Sequence, residues 1–415
     1  MRILVANWTW YPSGGDWTYV ENSCRLYRQK GHTVVPFSMQ DERNYPERYA
    51  EHFVSKINYR ELNENKTLRN GIHVLSKSIY SFEAKRNLER LLNVVSVDVA
   101  HLHNIHHYLT PSIISVFRRR NIPIVWTLHD YTILCPENSF VSNGSICERC
   151  KGGKFYQCTL QRCKKNSLQA SFVASLENYV HRFTNVFEAV RYFICPTQFV
   201  YDKFVEYGFY KDRLVKLYHC YDVPEPAYSE RTQTEGEQPY ILFVGRLEKI
   251  KGVHTLLRAM KELPQIRLKI IGSGSEDNEL KRFADVQRLT NVSFLGRLEK
   301  NQVLRHMRHC LFSVCPSEWY EVMGFSIIEA MLLTKPVVGS RIGAIPELVL
   351  DGVTGLTFEA GNSNDLRDKI AALARDSTSI KKFGSKARDH VSRLVDYDVH
   401  YARLTGLFTS MGLQI

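Results

Sequence analysis

At 415 residues, with 44% hydrophobic and 24% charged, the chain is about twice an ordinary domain, which excludes a disordered or fibrous class and leads us to expect two domains with separate cores. Its formal net charge of +12 points to an anionic partner, among nucleic acid, anionic lipid headgroups and phosphorylated substrates, without choosing among them. No run approaches the roughly 18 apolar residues of a membrane-spanning helix, and the opening Met1-Arg-Ile-Leu-Val-Ala-Asn-Trp8 turns polar too soon for a secretory signal, so a reducing cytosol is expected.

Short apolar runs alternate with longer helical patterns, as in parallel sheets built from strand-helix-strand units. Strands are expected at 2–6, 34–38, 99–103, 124–129 and 193–196 in the first half, and at 240–245, 267–271, 292–295, 311–315 and 336–339 in the second. The expected class is α/β, with two doubly wound Rossmann-like domains facing an interdomain cleft. The first would span 1–222 and carry a Cys-rich insert at about 135–166. A polar, Pro-bounded linker follows at 223–239, then a second domain at 240–395 and a last helix at 396–415. Ligands of doubly wound sheets sit beyond the carboxyl ends of strands, so loops that follow strands are where chemistry is expected.

After the first strand, Pro12-Ser-Gly14-Gly15 precedes a helix from about 17 to 29. Main-chain N–H groups at Gly14 and Gly15 can meet a phosphate there, and a tight turn explains them equally well. His129 closes a strand in Trp126-Thr-Leu-His-Asp130; at that place a histidine is either structural or faces a ligand. His101, His103, His106 and His107 suggest a metal cluster by composition, but read as strand-end and loop residues, with His103 and Asn104 on the acceptor side.

Gly245-Arg-Leu-Glu-Lys-Ile-Lys-Gly252 follows the strand at 240–245. Its Arg246 and Lys251 can hold a diphosphate through a guanidinium fork and an ammonium. Ile271-Gly272-Ser-Gly-Ser275 permits close backbone approach. Glu321-Val-Met-Gly324-Phe325-Ser326-Ile-Ile-Glu329 sets two carboxylates around a turn that opens a helix at 325–333. Two acids beside helix-start N–H groups can hold a polyol and a phosphate together, which is a nucleotide-sugar grip. A solvated helix face is the competing reading of such a pair.

With these motifs, Gly31-His-Thr-Val34, Pro316-Ser317 and Gly343-Ala-Ile-Pro-Glu347 all in order, the chain resembles the retaining GT-B glycosyltransferases of glycosyltransferase family 4 over nearly its whole length, most specifically from 240 to 360. The resemblance implies that Arg246 and Lys251 hold the donor diphosphate, with Gly15 approaching it from the N-terminal domain. It implies that Glu321 contacts the sugar hydroxyls, that Glu329 accepts from the ribose, and that main-chain groups around 323–326 complete the contacts. His129 matches the family's active-site histidine. Many relatives read Glu-Gly-Phe-Gly where this chain has Glu321-Val-Met-Gly-Phe325, so the sugar's identity does not transfer. The resemblance further implies a hexosyl transfer from a UDP-hexose to a glycan or lipid-linked acceptor, with retention, in bacterial surface polysaccharide assembly. No catalytic metal is expected: the one Asp-x-Asp, Asp396-Tyr-Asp398, reads as an N-cap, and the cations can replace an ion. The last helix, at about 398–411, is expected to cross back to the first domain.

Cys135, Cys147, Cys150, Cys158 and Cys163 are half of the ten cysteines. Cys147, Cys150, Cys158 and Cys163 read as ligands of a structural zinc, with Cys135 as substitute or bystander; the spacing fits no standard zinc ribbon, and unliganded thiols are the other reading. Arg149, Lys151, Lys154, Arg162, Lys164 and Lys165, with Arg118-Arg-Arg120 and the run 179–193, suggest a face for the anionic inner-membrane surface, or else a solvated basic face. A zinc-containing nucleic-acid-binding protein is the reading from another class, but it explains neither the Glu321/Glu329 turn nor the Arg246/Lys251 loop, and no nucleic-acid partner is expected. An inverting transferase or an epimerase on the same scaffold is the nearer alternative.

Overall fold

The structure, a computed structural model, describes residues 1–56, 79–106, 108–222 and 238–415. All but the last two residues of the expected linker lie outside the described residues, and so does His107. The chain divides into two compact units, one of Met1–Phe140, Cys147–Cys220 and Tyr397–Ile415, the other of Val141–Ile146 and Tyr221–Asp396.

The first unit holds β1 (Arg2–Ala6), β2 (Thr33–Phe37), β3 (Val99–Leu102) and β4 (Ile124–Thr127). A two-residue hairpin follows in the chain, β5 (Val141–Ser142) with β6 (Ser145–Ile146), and then β7 (Tyr192–Cys195) and β8 (Leu214–Lys216). The sheet runs β2-β1-β3-β4-β7-β8, parallel at every pairing. Its strands are continuous apolar runs because helices cover both faces. Ile3, Val5, Val99, Val125 and Ile194 pack with Trp17, Val20 and Tyr27 of the helix Gly15–Gln29. Leu404 and Phe408 of the last helix, Tyr397–Ser410, close the same core.

The second unit holds β9 (Tyr240–Val244), β10 (Arg267–Ile271), β11 (Val292–Gly296), β12 (Ser313–Cys315), β13 (Val337–Ser340) and β14 (Gly355–Phe358). Its order is β11-β10-β9-β12-β13-β14, again parallel. The amphipathic helix Val253–Lys261 presents Leu256, Leu257 and Met260 to a core that also holds Ile241, Phe243, Leu268, Ile270, Val314 and Val338. Each unit is thus a doubly wound Rossmann-like domain. Among the described residues no helix is long and apolar enough to cross a membrane.

Candidate functional site

In the second unit the chain winds from β9 through β10 to β11 at one edge, then from β12 through β13 to β14 at the other. Neighbours β9 and β12 therefore send their crossovers in opposite directions and leave a crevice beyond their carboxyl ends. The loops there are locked together. Gly252 has φ +67°, and a Cβ on it would stand 1.9 Å from the carbonyl oxygen of Pro316. Glu318 N–H donates to Ile250 O at 2.8 Å, and Thr255 Oγ1 donates to Glu318 Oε1 at 2.6 Å. Gly272, at φ +145°, would put a Cβ 1.8 Å from Gly245 O, so the loop after β10 closes on the loop after β9.

This bracing fixes the side chains. Glu321 is 6% exposed and accepts from Lys251 Nζ and Ser317 Oγ, both at 2.6 Å. Burial alone would raise its carboxyl; the Lys251 ammonium and the hydrogen bonds from Lys251 and Ser317 outweigh burial and hold it below the ordinary range. Lys251 also stands 4.9 Å from the Trp319 ring centroid, a cation–π contact that orients the ammonium. Ala344 N–H donates to Glu321 O at 2.9 Å, so both main chain and side chain of the acid are held. Arg246 is exposed, and its Nη1 donates to Glu248 at 2.7 Å.

Gly324 caps the helix Phe325–Leu332, with the N–H groups of Phe325 and Ser326 in its first turn, where helical partners are lacking. Glu329, on that helix and 5% exposed, is ion-paired with Lys300. The Lys300 ammonium lies 5.6 Å over the ring of Tyr221, which meets the Phe325 ring edge-on. Lys251, Glu321, Arg246, Gly245 and Gly272 thus share one end of one sheet, followed by the helix that carries Gly324, Phe325, Ser326 and Glu329. Lysines on acids beside helix-start N–H groups can neutralise a diphosphate and accept from hydroxyls at once.

In the first unit the winding reverses between β1 and β3. Gly15, exposed, begins the helix after β1. The adjacent Asp16 accepts from Trp8 Nε1 at 3.2 Å and Asn104 Nδ2 at 2.8 Å. His129 stands just past β4, its Nε2 3.0 Å from Nδ1 of His103, so one of the two rings donates to the other. Burial depresses both imidazoles, His129 to about 4 against the opposing charges of Asp16 and Asp130, and His103 well below the ordinary value. His101 is bonded to Tyr27 Oη and Thr127 Oγ1, each at 2.7 Å, and burial lowers it to about 3. Of the histidines that suggested a metal cluster, His101 and His103 are buried, neutral and hydrogen-bonded, and burial lowers His106 to about 3 as well.

Cys150 and Cys158 are buried around Phe155, with Cys163 against them. Among the described residues the one trio of ligand atoms within 4.8 Å of one another is His254, Glu276 and Glu279, and no three cysteine sulfurs meet that distance. The run 179–193 is not one amphipathic helix: Leu168–Phe183 ends it early, and Phe187 and Phe193 are buried. Of the three arginines, Arg119 pairs with Glu89, and Arg120 Nη1 donates to Leu92 O at 2.8 Å. Apolar exposure lies instead at Leu160, Leu168, Phe172 and Phe183. Sequence reasoning missed Lys300, 29 residues from its partner Glu329, and the hold of His103 on His129. No local signal marks Lys300; the strand-end position of His103 was the available clue.

Two family models match: Glycosyltransferase Family 4 over residues 13–224, and Glycosyl transferases group 1 over 225–390. An uncharacterized glycosyltransferase of Methanocaldococcus jannaschii is 31% identical over 196 residues, covering 47% of this chain and 53% of that protein. A sulfoquinovosyl transferase of Arabidopsis thaliana is 29% identical over 163 residues, covering 38% of this chain and 31% of that protein. The chain therefore spans about half or less of the length of these curated relatives. Among solved structures, the sucrose-phosphate synthase of Thermosynechococcus elongatus has a TM-score of 0.72 at 17% identity, over 99% of both chains. Anabaena HepE, in complex with UDP and glucose, has a TM-score of 0.66 at 19% identity, over 99% of this chain and 100% of that one.

Proposed function

The chain belongs to glycosyltransferase family 4, and from that premise we propose that it moves a hexose from a nucleotide-diphosphate sugar, UDP-hexose first among donors, to a glycan or lipid-linked acceptor in bacterial surface polysaccharide assembly. The observation that carries the reading is the Lys251–Glu321–Ser317 constellation at the switch point of the second unit, with both bonds to the buried acid at 2.6 Å. Its acids do not point into solvent; each is buried against a lysine.

Lys251 and Arg246 take the diphosphate and neutralise the charge that grows as it leaves, the task of a divalent ion in metal-dependent transferases. Glu321 accepts from the sugar's hydroxyls, Glu329 from the ribose, and the N–H groups at Phe325 and Ser326 meet phosphate or sugar oxygens. The bond from C1 to the diphosphate oxygen breaks, the bond from C1 to the acceptor oxygen forms on the same face, and the departing phosphate oxygen takes the acceptor's proton. Retention follows, and no base carboxylate is required.

UDP as nucleotide is supported by the Anabaena relative of like fold that holds it. A lipid-linked acceptor at an anionic membrane surface is supported by the exposed Leu160, Leu168, Phe172 and Phe183 beside a basic segment. Proton NMR of the product from a UDP-hexose panel tests the reaction. The account expects the donor's own anomer in a product that requires acceptor; an inverted anomer, or a product formed without acceptor, would replace it with an inverting transferase or an epimerase.

A further inference from the structure

The helices Val253–Lys261 and Asp277–Val286 begin where the loops after β9 and β10 end, and main chain fixes both beginnings. Gly252 lies against the Pro316 carbonyl. Glu276 N–H donates to Leu247 O at 2.9 Å, and a Cβ on Gly274 would stand 2.3 Å from that same oxygen. Glu276, Glu279 and Phe283, spaced by three and four residues, share one face at the start of the second helix, and that face meets His254 of the first. The Phe283 ring stands edge-on to the imidazole, at 6.1 Å and 83°, while Nε2 faces the two carboxylates.

The separations suit ligands of one ion better than they suit ion pairs. His254 Nε2 stands 3.3 Å from Glu276 Oε2 and 3.8 Å from Glu279 Oε1, and one ligand atom from each residue lies within 4.8 Å of the other two. A charge-assisted N–H···O bond closes to about 2.7–2.9 Å; neither contact does so, and the longer lies beyond hydrogen-bond reach. Two ligands about 2.1 Å from a tetrahedral ion stand about 3.4 Å apart, which these side chains already meet to within about half an ångström.

Among the described residues, neither acid has another ion-pair partner. Glu276 occupies the N-cap position of its helix, yet its side chain makes no capping bond, and Lys281 pairs with Asp277 instead. Two carboxylates thus share one imidazole, with no lysine or arginine on either, in a chain of net charge +12.

We propose that His254, Glu276 and Glu279 bind one zinc ion, with water in the fourth position, and that the ion clamps together the two helices that follow the crevice loops. An imidazole nitrogen and carboxylate oxygens suit zinc, which accepts three protein ligands and an open place. None of the three belongs to the Lys251–Glu321–Ser317 constellation, so the ion is structural and its binding does not depend on the transfer chemistry.

The test is calorimetric titration of zinc chloride into the full chain, stripped with chelator and kept reduced. Wild type should take up a zinc whose binding is lost, or weakened at least about tenfold, in His254→Gln, Glu276→Gln and Glu279→Gln. Zinc should also raise the melting temperature of wild type and leave that of the variants in place. No zinc uptake by wild type overturns the proposal, as does uptake or a melting shift unchanged in all three variants. Loss in His254→Gln alone, with both carboxylate variants like wild type, overturns the ligand set. Should the variants not fold, X-ray absorption of wild type loaded with one equivalent of zinc decides. Nitrogen and oxygen neighbours at about 2.0–2.2 Å support the site, and sulfur at about 2.3 Å puts the ion on cysteines and overturns it.

Discussion

Glu321 is a buried carboxylate whose stability and function rest on the same two bonds. With Lys251 and Ser317 at 2.6 Å it stays ionised, which a sugar hydroxyl requires of an acceptor. Replacing Glu321 by Gln keeps the shape and removes the charge. The turnover number should fall by about 10²–10³, the scale of losing one group that stabilises developing charge, in steady-state kinetics with the folded variant; an unchanged value would remove Glu321 from the chemistry. Gly252 is the corresponding backbone residue. A side chain there meets the Pro316 carbonyl at 1.9 Å with φ at +67°, so Gly252→Ala should destabilise by about 2 kcal/mol or more in denaturant melts. A melt identical to wild type would mean that the two loops are not locked as described.

At the scale of elements, the helices and strands of the first unit bury a row of histidines. Burial lowers His101 and His106 to about 3, and His129, His181 and His400 to about 4. Between the ordinary value near 6.5 and about 4, the unfolded chain binds protons that the folded chain refuses, so stability falls as pH falls through that window, by ~1.4 kcal/mol per unit for each ring. Glu177 opposes this: burial raises its carboxyl to about 8, so its contribution declines as pH rises from the ordinary carboxylate range toward 8. Burial raises Glu137 too, but it also lowers His32, His103 and His219, so the rings outnumber the raised carboxyls and decide the sign. Melting temperature should drop steeply from pH 7 to pH 5, and a flat or rising profile would contradict the burial of these rings.

The elements also mark how far the chain could be read before its structure. Central strands with continuous apolar runs, such as Ile124–Thr127 and Tyr240–Val244, were legible to within two residues, because burial on both faces leaves a plain signature. The strands that went unread, Leu214–Lys216 and Gly355–Phe358, are edge strands, short and half exposed or led by glycine. The site was legible where motifs follow strands directly, as with Arg246 and Lys251. Contacts across long separations were not: Lys300 on Glu329 and Trp319 under Lys251 depend on how loops fold back.

For the whole molecule, two doubly wound units each place loops at a switch point, and the second unit carries the cation and acid pairs. If those pairs hold a nucleotide-diphosphate sugar, binding must depend on a lysine whose ammonium otherwise rests on Glu321. Any ligand that binds only the folded state raises its stability by RT ln(1 + L/Kd), with L the free-ligand concentration. The direct measurement is calorimetric titration of UDP-hexoses into wild type and Lys251→Ala. The account predicts saturable binding of at least one donor to the wild type and affinity weaker by about tenfold or more in the variant, as for a lost charge-assisted contact. Equal affinity in the two proteins, or no nucleotide sugar bound by either, would contradict it.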